Sequence, residues 1–198
     1  TANSYRDVVK SDRIYVNPSV LYKISDHTEL NFNFDYLKSN YTPDFGIGSV
    51  EGKINNQVGR ETFLNVNGAF NNTNSTNGQV ALDHNFNENW KLSAIASLQN
   101  YNRNYYGSDR LQANAQGLAQ RALSRSATEE FTKNQQLNLT GNFNTGVVKH
   151  QLLFGADADQ ASTKAYAYNI YADPSKPNTP TTAYDNINVF DKSTTRSD

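Results

Sequence analysis

The chain has 198 residues, enough for one domain, yet only 36% are hydrophobic, 12% are aromatic and Asn is the commonest residue. Mean hydropathy is −0.74, too polar for a conventional packed core, while the aromatic content is too high for simple disorder. Lys and Arg number 18 against 19 Asp and Glu, so no basic excess supports nucleic-acid binding, and the lack of Cys excludes disulfides and thiolate metal sites. No apolar run approaches the roughly 20 residues of a transmembrane helix, and no signal peptide is present. Without any Met, and starting in polar sequence at Thr1, the chain reads as an internal piece of a longer protein.

Period-two alternation dominates the chain. Over 12–24, Ile14, Val16, Pro18, Val20, Tyr22 and Ile24 share one face, with Tyr15, Asn17, Ser19 and Lys23 on the other. Pro18 removes a ladder donor from this strand. Ser25, Asp26 and His27 form a turn of residues that bond their own backbone. Leu30, Phe32, Phe34 and Tyr36 then alternate with Asn31, Asn33 and Asp35. A doubtful apolar segment at 60–72, with Phe63, Leu64, Val66 and Phe70, is placed inside a long loop. A second hairpin runs from Val80, Leu82 and Phe86 through a turn at 87–89 to Trp90, Leu92, Ala94, Ala96 and Leu98. Leu111, Ala115, Leu118 and Ala122 have helical spacing, so a short helix is expected there despite Gly117. A third hairpin joins Phe131, Leu137, Leu139 and Phe143 to His150, Leu152, Phe154, Ala156 and Ala158 through a turn at 144–146.

The connections alternate in length. Tight turns lie near 25–27, 86–89 and 144–146, while long polar links span about 39–76 and 102–128, and a third opens near Tyr166. Outer-membrane barrels sort their connections this way, with short periplasmic turns and long extracellular loops. A strand crosses hydrocarbon in roughly 9–11 residues, and only alternate ones meet lipid, which explains the low hydrophobicity. Trp90, Phe86 and Tyr22 fall beside short turns, where an aromatic girdle belongs. The expected fold is all-β, an antiparallel transmembrane barrel segment of about six strands.

No catalytic or metal-binding constellation emerges. His27, His84 and His150 sit at turns with no second ligand at coordinating spacing. No nucleophile elbow is present. Gly46, Gly48 and Gly52 lack the Lys and the helix of a phosphate loop. Asp157 and Asp159 read as solvated lumen carboxylates. Neither cofactor nor enzymatic activity is expected, and the Asn-x-Ser/Thr triplets at Asn40 and Asn74 carry no weight in so Asn-rich a chain.

Four stretches resemble TonB-dependent siderophore receptors, in the family's order. The segment Leu82-Asp83-His84-Asn85-Phe86-Asn87-Glu88-Asn89-Trp90 is similar to the family's H-x-F-N-x-x-W hairpin. Arg13-Ile14-Tyr15-Val16-Asn17-Pro18-Ser19-Val20, with Asp26 and Thr28, is similar to its early barrel hairpin. Gly141-Asn142-Phe143-Asn144-Thr145-Gly146 leads into His150-Gln151-Leu152-Leu153-Phe154-Gly155-Ala156-Asp157, similar to a later one, and Asn188-Val189-Phe190-Asp191 resembles the opening of a further loop. The resemblance implies a 22-stranded barrel in the outer membrane of a Gram-negative bacterium, filled by an N-terminal plug. Ferric siderophores of the ferrichrome type would be taken up with energy from TonB, ExbB and ExbD. Residues 1–198 would form part of that barrel, in contact with outer-membrane lipid, with plug and TonB box outside the chain. A passive porin, a cobalamin or glycan receptor, and a secreted adhesive β-sheet protein are the alternatives. A receptor of this kind would use its long loops, whose Tyr and Arg side chains suit bulky, partly anionic ligands. The candidates are Tyr41 and Phe45 in the first loop, Arg103, Tyr105, Tyr106 and Arg110 in the second, and Tyr166, Tyr168 and Tyr171 in the third.

Overall fold

A computed structural model describes residues 1–168 and 184–191. Its strands are β1 (Ala2–Asn3), β2 (Lys10–Val16), β3 (Ser19–Ser25), β4 (Thr28–Tyr41), β5 (Ser49–Val50), β6 (Lys53–Ile54), β7 (Phe70–Asn87), β8 (Trp90–Ser108), β9 (Gln112–Ala113), β10 (Leu118–Thr145), β11 (Val148–Ala167) and β12 (Tyr184–Asn188). Six long strands, counting β2 and β3 as one, form an antiparallel meander in which each pairs with the next in sequence. Three two-residue turns, 26–27, 88–89 and 146–147, close it on one side.

Side-chain chemistry explains the turns. Ser25 Oγ accepts from the His27 N–H at 3.2 Å, and Asn87 Oδ1 accepts from the N–H groups of Asn89 and Trp90 at 2.9 and 3.0 Å. Gly146 takes φ +62° at the third turn, a conformation that glycine adopts without steric penalty.

The register keeps the two faces in phase across all six strands. One row reads Tyr22, Leu30, Leu82, Ala94, Leu137 and Ala156. A row of the other face reads Ser19, Asn33, Gln79, Ser97, Asn134 and Asp159. The first belongs against hydrocarbon and the second in a wet lumen. Pro18 leaves this register intact, because β2 and β3 meet β4 in the same phase on either side of it. Its carbonyl accepts from the Phe34 N–H at 3.0 Å, so only the bond that its own nitrogen would have donated is lost.

Two expectations from sequence need correction. No helix forms at Leu111, Ala115, Leu118 and Ala122. There Asn114 Oδ1 accepts from the Gln116 and Leu118 N–H groups, at 3.1 and 3.0 Å, and Gly117 turns the chain at φ +79°. A short side chain that captures the free backbone donors favours a turn over a helix. The links at 39–76 and 102–128 are also shorter than expected. They shrink to 42–69 and 109–117, because β7, β8 and β10 run to 18, 19 and 28 residues, well past the roughly 9–11 that a strand needs to cross hydrocarbon. Residues 60–69 do lie in the first loop, but they form no strand, and Phe70 opens β7.

At the turn side, Trp90 pairs with Gly141, and a Cβ at position 141 would collide with the indole ring. The glycine thus seats the girdle tryptophan flat against the sheet.

In the complete protein, Ala94→Arg should lower barrel stability by about 2–4 kcal/mol if Ala94 lies near the bilayer midplane, while Ser93→Arg, on the wet face, should be much milder. Equal losses of heat-modifiable folded barrel for both would show the faces reversed. Gly141→Val should destabilise by about 1–3 kcal/mol through overpacking against Trp90, read as a lowered denaturant midpoint. An unchanged midpoint would remove the glycine's seating role.

Candidate functional site

Beyond the band the strands carry a cap built from three loops. The first loop (42–69) contains β5 and β6, and the second (109–117) contains β9, which pairs in parallel with β5. After β11 the chain returns as β12, which pairs with the tip of β10 from Leu118 to Ala122. Apolar side chains of all three loops meet in one cluster: Leu64, Leu111, Ala113, Ala119, Ile187 and Val189. A second cluster holds Phe63, Val66 and Ala69 against Val9, Tyr106 and Leu123. Leu64, Val66 and Val189 are wholly buried, whereas large apolar residues of the sheet such as Phe154 are exposed. Among the described residues, the hydrophobic core therefore lies in the loops, their short strands and the strand tips beneath them.

Buried polar groups hold the cap to the strands. Asn65 Nδ2 donates to the Pro43 carbonyl at 2.9 Å, and its Oδ1 accepts from the N–H and Oγ–H of Ser108 at 2.8 and 2.9 Å. Asn55 Nδ2 donates to the carbonyls of Ile47 and Val189 at 3.1 and 3.0 Å, joining the first loop to the third. Arg121, 1% exposed, donates to the Leu64 and Asn65 carbonyls at 2.9 and 3.2 Å. Arg6 forms an ion pair with Asp44 and donates to the Thr62 carbonyl at 2.6 Å.

Beneath the cap, the register places Tyr41, Asn71, Tyr105 and Ser126 in one row of the lumen-facing surface. Asn71, 4% exposed, donates to the Tyr41 hydroxyl and accepts from Arg103 Nε at 3.0 Å. The Arg103 guanidinium lies 5.0 Å from the centre of the Tyr105 ring. Tyr105 is itself buried and donates to the Ser108 carbonyl at 3.3 Å. Burial, followed by nearby Asp109, raises its pKa above the usual phenol value, so it stays a neutral donor and support. Arg103 has no carboxylate partner among the described residues. Held by an amide and a ring, it keeps donors for an anionic ligand.

The structure thus brings together Tyr41, Arg103 and Tyr105 of the sequence candidates, with Asn71 as the link. Phe45 stands apart and half exposed, bordering a narrow crevice with Leu64 and Asp109. Arg110 lines a shallow polar recess with Gln112, Asn114 and Asn186. Tyr106 points away from Tyr105 and packs on Phe70, with ring centres 6.1 Å apart. Tyr166 has the same outward parity, and Tyr168 lies over Arg125, 4.6 Å from the guanidinium. Tyr171 lies outside the described residues. Asn65, Asn71 and Arg121 went unnoticed in the sequence. In so Asn-rich a chain a structural amide carries no distinguishing signal.

No protein-family model matches the chain. Among curated proteins it is 27% identical over 169 residues to PiuA of Acinetobacter baumannii, a probable TonB-dependent siderophore receptor, and 26% identical over 162 residues to the metal-pseudopaline receptor CntO of Pseudomonas aeruginosa. Each alignment covers 80% of this chain and 23% of the relative, so the chain spans about a quarter of their length. The solved structure of BauA, the ferric preacinetobactin receptor of Acinetobacter baumannii, superposes with a TM-score of 0.76 at 14% identity over 96% of this chain and 28% of that one. The fold is that of a siderophore-receptor barrel wall. Its sequence relatives are siderophore and metal receptors. Outer-membrane barrels of this fold place short turns on the periplasmic side and long loops outside.

Asn65→Ala should leave several buried backbone and hydroxyl groups of the cap unpaired, at about 1–3 kcal/mol for each orphaned group. In the complete protein this should appear as faster protease cleavage within 42–69, with the thermal transition of the barrel unchanged. Unaltered cleavage would show that Asn65 does not hold the cap.

Proposed function

We propose that this chain is part of the wall and outer cap of a receptor that takes up ferric siderophores across the outer membrane, driven by TonB with ExbB and ExbD. Its relation to a TonB-dependent siderophore receptor over four-fifths of its length carries this reading. The lumen-facing cluster adds chemistry that fits. Arg103 offers charge-assisted hydrogen bonds to an anionic chelate, and Tyr41 offers an aromatic face with a hydroxyl at the same level. Tyr105 contributes by holding Arg103 in place. The ligand is a ferric siderophore, with ferrichrome-type hydroxamates among the candidates. Its iron is cargo, and the barrel needs no cofactor of its own. Transport requires no covalent step: the cap captures the chelate and the energised plug, supplied by segments outside this chain, admits it.

The test is uptake of radioactive iron, presented as a panel of purified ferric siderophores, by cells carrying the complete protein. Uptake of one chelate should require both this protein and TonB. Arg103→Gln should weaken binding of that chelate by about tenfold or more, the equivalent of one charge-assisted hydrogen bond of about 1.5–3 kcal/mol. Uptake that persists without TonB would point to a passive pore, and failure with every ferric siderophore would overturn the assigned cargo.

A further inference from the structure

The sequence contains two Asn-Gly pairs, Asn67-Gly68 and Asn77-Gly78, which the fold treats in opposite ways. Glycine leaves its own nitrogen unhindered, so an Asn side chain before it is open to attack by the following peptide nitrogen. Asn67 and Gly68 form the exposed tip of a four-residue turn in the first loop, closed by the Ala69 N–H donating to the Val66 carbonyl at 3.3 Å. Gly68 has φ +75°, and the space where its Cβ would stand is open. Among the described residues no hydrogen bond holds the Asn67 amide or the Gly68 N–H. Asn77-Gly78, by contrast, lies inside β7, paired on both sides: Asn77 with Asp35 and Gln99, Gly78 with Phe34 and Leu98. An extended backbone locked between two ladders cannot fold its nitrogen onto the preceding side chain.

We propose that Asn67 is a site of spontaneous conversion to isoaspartate and aspartate, and that the same pair at Asn77 is protected. The Gly68 nitrogen gives up its proton to solvent base and bonds to Asn67 Cγ. The Cγ–amide bond breaks, and the nitrogen leaves as ammonia, closing a succinimide ring. Water then adds to either ring carbonyl. One opening gives aspartate; the other gives isoaspartate, whose main chain passes through the former side chain. No oxidant or reductant is involved. Both products place a negative charge on the turn, and isoaspartate also lengthens the backbone between Val66 and Ala69. Those two residues are buried in the cluster that packs on Val9, Tyr106 and Leu123, so the change loosens the cap at a point where it grips the strand tips. The outer turn of the cap is thereby an age-dependent modification site.

The test holds the complete protein, purified in detergent, in mildly alkaline buffer and follows both peptides by mass spectrometry with fragmentation that distinguishes isoaspartate. Conversion at Asn67 should run more than about tenfold faster than at Asn77, because reaction at Asn77 first requires opening of the β7 ladder. In denaturant the two sites should convert at similar rates, and Asn67→Gln should abolish the modified turn peptide in the folded protein. Equal rates at the two sites in the folded protein, or an intact Asn67 after the denatured control has converted, would overturn the proposal.

Discussion

Everything in this chain depends on backbone pairing that must be complete wherever hydrocarbon is the solvent. An unpaired N–H or carbonyl in lipid costs several kcal/mol, so strands cross only when both neighbours are in register. Pairing in register then forces side-chain alternation to agree across the sheet. The row from Tyr22 through Leu82 to Ala156 and the row from Ser19 through Gln79 to Asp159 are two consequences of one ladder. Even Pro18, which removes a donor, is accommodated without a shift of phase.

That constraint reverses the usual location of the core. The wall is one sheet thick, with lipid on one side and an aqueous lumen on the other, so its own residues enclose no interior. Close packing appears instead in the loops, where Leu64, Val66 and Val189 are sealed from solvent. The strands make this possible by overshooting the membrane. At 28 residues, β10 spans roughly 90 Å at about 3.3 Å per residue, several times the hydrocarbon thickness. Its tip, with that of β8, is the platform on which the loops assemble. The buried amides Asn55 and Asn65 satisfy backbone groups that irregular segments leave without ladder partners.

The same ladder positions the lumen-facing cluster. Tyr41, Asn71 and Tyr105 belong to three consecutive strands and meet because the register sets them opposite one another. Arg103 is not free to sweep the lumen, since an amide oxygen on one side and a ring on the other fix its plane, and no carboxylate of the described residues neutralises it. A guanidinium held in this way loses less conformational freedom on meeting an anion than one on a mobile loop. The outward face at the same height is treated differently: Arg125 lies between Phe70 and Tyr168 and donates to Asn104 and to the Tyr105 and Ser126 carbonyls.

The sequence by itself determined the hairpins and their faces within the membrane, because two solvents of opposite polarity write a period of two into every crossing strand. Val80 to Leu98 and Leu137 to Ala158 are legible for that reason. Above the band both faces meet water or other loops, and the alternation fades. Stretches such as Asn71 to Thr76 and Asn102 to Asn104 therefore read as loop although they are strand. The apparent helix at Leu111 and Leu118 is a coincidence of spacing: Leu111 is buried in a cluster gathered from three loops, whereas Ala115 and Leu118 are exposed, so the four residues share no face. Only the tertiary structure decided that Asn55 would bond a carbonyl 134 residues away, or that Tyr105 would turn inward and Tyr106 outward. Contacts of such sequence separation leave no local pattern, since they are fixed by where a rigid ladder happens to deliver the two ends.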